Sequence, residues 1–236
     1  MLPLRDNVPT RKFPIVTVAL IVANFLVWFW DLSKPGVTVH VFRDGYYPCT
    51  VSGPCHVPAP FVVHPRPWYE GVFTGMFMHA SWQHILGNML FFWIFGNNVE
   101  DAMGRVRFLL WYLAAGIAAM AAQTAVTLAA GTTQDASIPN IGASGAIAGI
   151  LGAYFLLLPR AKVLTLIFFG IIFFWEVPAV LFLGVWIGLQ IWTGGLSLLH
   201  PNAGDGTAFF AHIGGFAFGL LTVYLVVKRR PPQPRW

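Results

Sequence analysis

Six long apolar runs, almost free of charged side chains, limit what this chain can fold into. They lie at residues 14–31, 81–98, 107–128, 142–158, 178–195 and 207–227. Each run is close to the roughly 20 residues that an α-helix needs to cross a bilayer. Only 10% of the residues are charged, whereas soluble domains carry about 25%. We therefore expect an all-α membrane protein, a bundle of six transmembrane helices.

The positions of Lys and Arg predict the orientation of the bundle. If the N-terminus is cytoplasmic, eleven of the fourteen basic residues fall in cytoplasmic segments, as the positive-inside rule requires. A further apolar run at 163–175 is too short for a helical span, and a crossing there would put the basic C-terminus outside. We expect a segment that does not cross, and a hairpin, a surface helix and a re-entrant loop all remain open.

The outermost spans set the predicted domain boundaries. Residues 1–13 are predicted to be a cytoplasmic tail, 14–227 a single membrane domain, and 228–236 a basic cytoplasmic tail. The first apolar run ends in aromatic residues and has no small-residue cleavage site, so we expect a retained span rather than a signal peptide. The basic residues lie between and beyond the spans, which argues against a nucleic-acid partner.

The long loop at about 32–80 is extracytoplasmic in this topology. Its few charges and many Pro and aromatic residues favour an ordered cap on the membrane surface. Both cysteines, Cys49 and Cys55, lie here on the oxidising side, where a disulfide can form. Two free thiols are the alternative. A metal site that also uses His56 is a weaker reading because the spacing matches no standard zinc pattern, and no metal or cofactor is expected.

Two polar residues near the extracytoplasmic ends of spans four and six can carry chemistry. Ser144 lies at the start of span four between Gly142 and Gly145, where free backbone N–H groups favour developing negative charge. His212 is an ionisable residue inside span six, and such residues are rare and mark functional sites. The alternative readings are a serine bonded to its own helix and a histidine bonded to a neighbouring helix.

Small residues predict that these two spans pack closely. Gly145 and Gly149 are four residues apart in span four, and Gly215 and Gly219 are four apart in span six. Small residues at this spacing let helix backbones approach in lipid. Both helices run from outside to inside, so close packing would bring the hydroxyl and the imidazole together. That arrangement activates a serine nucleophile.

Span two supplies candidate hydrogen-bond donors. His84 and Asn88 are four residues apart and share one face of a helix. Acyl transfer needs donors directed at the oxyanion, and one such donor is worth roughly 10²–10³ in rate. Their alternative role is interhelical hydrogen bonding.

No carboxylate in the sequence is placed to orient His212. Asp135 and Asp205 lie in loops before spans four and six, and Glu100 and Asp101 lie on the cytoplasmic side. We therefore predict a Ser–His dyad without a third, acidic member.

Three motifs together resemble the rhomboid family of intramembrane proteases. They read His79-x4-His84-x2-Gly87-Asn88, Gly142-x-Ser144-Gly145 and Ala211-His212-x2-Gly215-x3-Gly219, and their order, spacing and span positions agree with the family. The likeness covers about residues 70–225, and Glu100-Asp101-x2-Gly104-Arg105 resembles a structural loop of the family.

The resemblance implies a serine endopeptidase whose partners are the lipid bilayer and transmembrane substrate proteins. Ser144 would be the nucleophile and His212 the general base and then acid. His84, Asn88 and the Ser144 N–H, beside Gly142, would bind the oxyanion, and His79 would help to hold the first loop. The substrate helix would enter near span five and be cut near the extracytoplasmic face.

One position departs from the family pattern. Some members carry a tyrosine four residues after the nucleophile, stacked on the histidine, whereas this chain has Ala148. The orientation of His212 must then come from elsewhere, such as Phe216 or neighbouring packing.

Two other functions stay open at this stage. A rhomboid-like protein that binds membrane proteins without cutting them would normally lack the serine or the histidine, and both are present. A transporter would show inverted halves and charged residues at mid-span, and neither pattern is found. The short tails, the absence of a transit peptide and the resemblance indicate a bacterial cytoplasmic membrane.

Overall fold

The computed structural model describes residues 1–34, 36–57, 64–168, 170–199 and 207–229. Most of these residues are helical. The helices are α1 (Ile15–Leu32), α2 (Val37–Asp44), α3 (Cys49–Ser52), α4 (Trp68–Gly75), α5 (Trp82–Phe91), α6 (Asn97–Met103), α7 (Arg105–Ala130), α8 (Thr133–Ala136), α9 (Ser144–Leu157), α10 (Ala179–Leu199) and α11 (Phe209–Val226). The strands are β1 (Leu2–Asp6), β2 (Lys162–Phe168) and β3 (Ile172–Pro178).

Several of these helices have the length and composition of membrane spans. Among the described residues, α1, α7, α10 and α11 are long and apolar enough to cross a bilayer. Helix α5 continues through a π-helical turn at Phe92–Gly96 into α6, so one helical run covers the second predicted span. Helix α9 is also apolar but has only 14 residues. The chain is therefore a multi-pass membrane protein with a mostly helical fold.

Helix α9 is the central helix of the bundle, packed between α7 and α11. Every residue from Gly145 to Tyr154 is buried. The backbone of Gly215 lies against the carbonyl of Gly145, and that of Gly219 lies against the carbonyl of Gly149, so that a Cβ at either position of α11 would collide with α9. These contacts confirm the predicted close packing of spans four and six.

The far side of α9 is equally tight against α7. A Cβ added to Gly145 would lie 2.7 Å from the Cβ of Ala119, and one added to Gly149 would lie 2.8 Å from the Cβ of Ala115. Small residues on both faces therefore let a single helix contact two neighbours at backbone distance. This arrangement fixes the depth and rotation of α9, and with them the direction in which Ser144 points.

The apolar run at 163–175 forms a β-hairpin, one of the three structures that the sequence left open. Strand β2 pairs antiparallel with β3, and its other edge pairs antiparallel with β1. The all-α expectation did not include this three-stranded sheet. The apolar run did not show the alternation of polar and apolar residues that predicts a strand, because apolar residues occupy both faces of β3. Phe174 and Trp175, for example, are 64% and 67% exposed. The segment predicted as an N-terminal tail supplies β1.

The long loop after α1 contains an ordered structure built on α2, α3 and α4, here called the cap. Cys49 and Cys55 are joined by a disulfide, so neither sulfur is available as a metal ligand. Tyr46 exchanges two backbone hydrogen bonds with Asn140, and its hydroxyl lies 2.6 Å from the hydroxyl of Thr124 on α7. The cap is therefore attached both to α7 and to the segment that leads into α9. Residues 58–63 of this loop lie outside the described part of the chain, as does Asp205.

Glu100 has the structural role that the sequence suggested for its loop. Its carboxylate accepts hydrogen bonds from the backbone N–H groups of Val16 and Thr17, at 3.1 and 2.7 Å, and from the Thr17 hydroxyl at 2.7 Å. These N–H groups belong to the first turn of α1 and have no acceptor within that helix. A carboxylate at this position also interacts favourably with the helix dipole. Glu100 thus caps α1 from a neighbouring helix.

Asp6 anchors β1 to the helical bundle. Its Oδ2 accepts hydrogen bonds from Tyr154 Oη and from Asn98 Nδ2, both at 2.6 Å. Burial raises the pKa of the Asp6 carboxyl to about 6, and the hydrogen bond from Tyr154 opposes this shift only in part. The folded protein therefore holds the Asp6 proton more tightly than the unfolded chain does.

The raised pKa of Asp6 predicts a loss of stability as pH rises. The contribution of the protonated Asp6 to the free energy of unfolding is fully present below the unfolded pKa of about 4. It is lost as the pH rises through the folded pKa of about 6. It amounts to at most about 3 kcal/mol. We expect Asp6→Asn to flatten the pH dependence of thermal unfolding between pH 4 and 7 in detergent micelles. The control is Asp101→Asn, which removes another carboxylate that accepts one 3.4 Å hydrogen bond from Arg11 N. An Asp6→Asn profile parallel to that of the unmodified protein would contradict the prediction.

Candidate active site

Ser144 and His212 meet at the N-terminal ends of α9 and α11. Ser144 is the first residue of α9, and His212 lies in the first turn of α11. The Ser144 Oγ and the His212 Nε2 are 2.8 Å apart. This is hydrogen-bond distance, and both side chains are only partly buried, so that a substrate can reach them. The backbone contacts between α9 and α11 explain why two residues 68 positions apart are brought together.

The second nitrogen of His212 also has a partner. His212 Nδ1 lies 2.7 Å from Oε1 of Gln190 on α10. An amide oxygen can only accept a hydrogen bond, so Nδ1 must carry the imidazole proton. In the neutral ring, Nε2 is then unprotonated and accepts the hydrogen bond from the Ser144 hydroxyl. The two contacts together select one tautomer of the neutral histidine.

The ring of His212 is flanked by Trp186. Their ring centroids are 5.7 Å apart with an interplanar angle of 40°. Phe216, which the sequence suggested as a source of orientation, packs against Trp186 at 6.3 Å. The orientation of His212 therefore comes from α10 in two ways, through the amide of Gln190 and the indole of Trp186. Ala148, where some family members have tyrosine, instead faces the backbone of Gly215.

His84 and Asn88 lie around Gly142, two residues before Ser144. A Cβ added to Gly142 would be 2.6 Å from His84 Nε2 and 3.3 Å from Asn88 Nδ2. Two side-chain nitrogens of α5 thus point at the backbone two residues before the serine. Position 142 requires glycine for two reasons. A side chain would fill this space, and the backbone has a φ of 106°, which favours glycine.

His79 contacts both Asn88 and His84 and supports them. It is fully buried, and its Nε2 accepts a hydrogen bond from Asn88 Nδ2 at 3.0 Å. Its Nδ1 donates to the carbonyl of Phe77 at 3.2 Å. An amide nitrogen carries two protons, so Asn88 keeps a second N–H for the space beside Gly142. The ring of His79 also packs edge-on against that of His84, with centroids 5.0 Å apart.

The cap holds the backbone of Gly142 in place. The N–H of Gly142 donates to the carbonyl of Gly75 at the end of α4, at 2.8 Å. A Cβ on Gly75 would lie 2.9 Å from the carbonyl oxygen of Asn140. The chain leading into α9 is therefore fixed by main-chain hydrogen bonds to the cap. Because these bonds involve no side chains, the sequence alone does not predict them.

The sequence pointed to Ser144, His212, His84 and Asn88. The structure pairs Ser144 with His212 and places His84 and Asn88 against Gly142, two residues before Ser144. Sequence reasoning missed Gln190 and Trp186. A signal for Gln190 was present, since it is the one side-chain amide in the apolar run 178–195, and a polar side chain inside a span usually has a specific partner. Nothing in the local sequence distinguished Trp186 from the other tryptophans.

Comparison with known proteins agrees with this geometry. The family model for the rhomboid domain matches residues 65–229, more than half of the chain. The chain belongs to the rhomboid family, which confirms the resemblance seen in the motifs.

Individual relatives occur in bacteria and in organelles. The chain is 30% identical over 144 residues to the rhomboid family member YdcA of Bacillus subtilis and 29% identical over 157 residues to Rhomboid protein 1, mitochondrial, of Saccharomyces cerevisiae. It is 31% identical over 163 residues to Presenilin-associated rhomboid-like protein A, mitochondrial, of Danio rerio. These alignments use 61%, 64% and 66% of this chain and cover 62%, 40% and 38% of the relatives' own lengths.

The space beside Gly142 makes a specific prediction for stability. Gly142→Ala would put a methyl group against His84 Nε2 on a backbone that favours glycine, so we expect unfolding to be easier by about 1–3 kcal/mol. The matched control is Gly87→Ala on α5, where an added Cβ would meet nothing within 4 Å. That change should leave stability equal or raise it by up to about 1 kcal/mol. Thermal unfolding in micelles measures both, and equal melting temperatures for the two variants would contradict the account.

Proposed function

We propose that this chain is an intramembrane serine endopeptidase that cleaves other membrane proteins in or near their transmembrane segments. The single observation that carries the proposal is the 2.8 Å contact between Ser144 Oγ and His212 Nε2. A serine hydroxyl is a weak nucleophile until a base accepts its proton. An unprotonated imidazole nitrogen at this distance is such a base, and both groups are partly exposed.

In the first step, Ser144 Oγ attacks the carbonyl carbon of the substrate peptide bond as its proton moves to His212 Nε2. The resulting tetrahedral intermediate carries a negative charge on the former carbonyl oxygen. It collapses when His212 gives the same proton to the leaving amine, and the C–N bond breaks. The acyl group remains on Ser144 as an ester.

The oxyanion needs donors that are already in place, because donors that must reorient cost free energy during the reaction. We assign this role to His84 Nε2, Asn88 Nδ2 and the backbone N–H of Ser144. The two side-chain nitrogens lie within reach of the same point beside Gly142. The Ser144 N–H lies at the start of α9, where the helix provides no acceptor for it and the dipole favours negative charge.

Water completes the cycle by attacking the ester. His212 accepts a proton from the water as its oxygen bonds to the acyl carbon. The C–Oγ bond then breaks while His212 returns the proton to Ser144 Oγ, and the acid product leaves. A cavity of about 150 Å³, lined in part by Gln123, Asn140 and Phe209, lies beside the first turn of α11. A route from this extracytoplasmic end suits a site that must admit water inside an apolar bundle.

We propose that the substrate is a transmembrane helix that approaches beside α10. Only 22% of the apolar window of α10 is buried inside the protein, the lowest share among the candidate spans. Helix α10 also forms one wall of the dyad through Gln190 and Trp186. A substrate that reaches this side in the bilayer therefore meets the site across the most weakly packed helix.

The membrane arrangement follows from the same proposal. We propose six crossings within residues 14–227, with the run 82–103 and the short helix α9 as the second and fourth spans, and cytoplasmic tails at 1–13 and 228–236. Eleven of the fourteen basic residues then face the cytoplasm. We propose a bacterial cytoplasmic membrane as the location; one relative comes from Bacillus subtilis, whereas others are named as mitochondrial or chloroplastic proteins.

Proteolysis by the dyad predicts that either member is indispensable. We expect the purified chain to cleave at least one of several single-span substrates in liposomes, and Ser144→Ala and His212→Ala each to lower kcat by at least about 10³-fold. Ser33→Ala is the control, because the exposed Ser33 hydroxyl at the end of α1 bonds to the carbonyl of Trp30, three residues earlier in the chain. It should retain full activity.

Two results would contradict the proposal. One is cleavage that survives Ser144→Ala, which would place the nucleophile elsewhere. The other is the absence of cleavage across diverse substrates that nevertheless bind, which would favour a rhomboid protein that binds membrane proteins without cutting them.

A further inference from the structure

We infer that Gln190 is a positioning residue that holds His212 in the tautomer and orientation required to accept the Ser144 proton. The inference rests on the proposed function and adds a third member to the dyad. It comes from the 2.7 Å contact between Gln190 Oε1 and His212 Nδ1. No family motif in the sequence includes this glutamine.

The chemistry of the amide makes the contact selective. Neutral imidazole carries its proton either on Nδ1 or on Nε2. With the proton on Nδ1, the Gln190 oxygen accepts a hydrogen bond and Nε2 is free to act as a base. With the proton on Nε2, two acceptors would face each other at Nδ1, and Nε2 could no longer receive the Ser144 proton. Gln190 therefore stabilises the reactive tautomer at the expense of the unreactive one.

A neutral amide suits this location better than a carboxylate. The soluble Ser–His–Asp enzymes use an acid to orient the histidine. An isolated carboxylate inside a membrane span is costly to desolvate. Gln190 supplies the same acceptor geometry without a charge. This explains how His212 is oriented although the described residues offer no carboxylate as a hydrogen-bond partner to it.

Trp186 is a second residue of α10 that contacts His212. Trp186 and Gln190 are four apart on α10, so they lie on one face of the helix. The indole covers the imidazole at 5.7 Å while the amide binds its edge. One turn of α10 thus controls both the tilt of the His212 ring and its protonation pattern.

A purely structural role for Gln190 would be to tie α10 to α11. That role predicts a lower melting temperature for any variant that loses the hydrogen bond, but no change in the histidine tautomer and no selective effect on kcat. The positioning role predicts that catalysis depends on the acceptor itself. The experiment must therefore compare variants that keep and remove an acceptor at nearly constant volume.

The test uses the full chain in liposomes with three variants. Gln190→Met keeps the length of the side chain without an acceptor, and we expect kcat to fall about 10- to 100-fold with KM within about twofold. Gln190→Glu keeps an acceptor, so we expect activity closer to the unmodified protein and an acid limb of the kcat profile moved to higher pH. Leu221→Met is the control on the helix that carries His212, because Leu221 is 80% exposed, and it should leave kcat and KM unchanged.

A second measurement does not depend on cleavage. The ¹⁵N NMR shifts of the His212 imidazole, identified by their loss in His212→Ala, report which nitrogen is protonated. We expect the Nδ1–H form in the unmodified protein and a mixture of both tautomers in Gln190→Met. If Gln190→Met does not fold, Gln190→Asn takes its place, since its amide is too short to reach Nδ1.

The outcomes separate the inference from the proposed function. An unmodified protein that cleaves nothing refutes the proteolytic function, whereas the tautomer measurement still reports whether Gln190 orients His212. An unchanged kcat and an unchanged Nδ1–H signal in Gln190→Met would overturn the inference while leaving the Ser–His dyad intact. A fall in melting temperature with no effect on kcat or tautomer would overturn it in favour of a structural role.

Discussion

The backbone contact between α9 and α11 is the constraint on which the candidate site depends. The Cα atoms of Gly215 and Gly219 lie against carbonyls of α9, which no larger residue would permit. In lipid, helices gain little from burying apolar side chains against each other, so close van der Waals packing has to hold them together. The same packing sets the distance from Ser144 to His212, because both residues lie at the ends of the helices that these glycines join.

Around that contact, three separate elements complete the site. Helix α5 contributes the nitrogens of His84 and Asn88, the cap holds Gly142 through the Gly75 carbonyl, and α10 binds the far side of the His212 ring. Asn88, the Gly142 N–H and His212 each have a hydrogen-bond partner, as an apolar surrounding favours, while the ring of His84 packs against that of His79. Hydrogen bonds to His79 and to the cap hold the proposed oxyanion pocket, whereas the far side of His212 contacts α10, the least buried of the four long apolar helices in the described part of the chain.

The sequence predicted those features that have a local pattern. Apolar runs predicted the four long apolar helices and the shorter α9, and four-residue glycine spacing predicted the packing of α9 on α11. The three-stranded sheet was not predicted, because apolar residues cover both faces of β3 and because β1 pairs with residues about 160 positions away, as in Leu2 with Leu166. The role of Gln190 was not predicted, because it depends on a contact with His212 on another helix. The cap's hold on Gly142 is made by main-chain atoms, which leave no trace in residue identity.

The most direct test of the account is whether the Ser144 hydroxyl is activated by His212. A fluorophosphonate probe reacts with an activated serine to form an Oγ–P bond with loss of fluoride, and it requires no knowledge of the substrate. With the full chain in membranes, mass spectrometry should find the adduct on Ser144, and His212→Ala should abolish it. Labelling that is absent from Ser144, or undiminished in His212→Ala, would contradict the central claim.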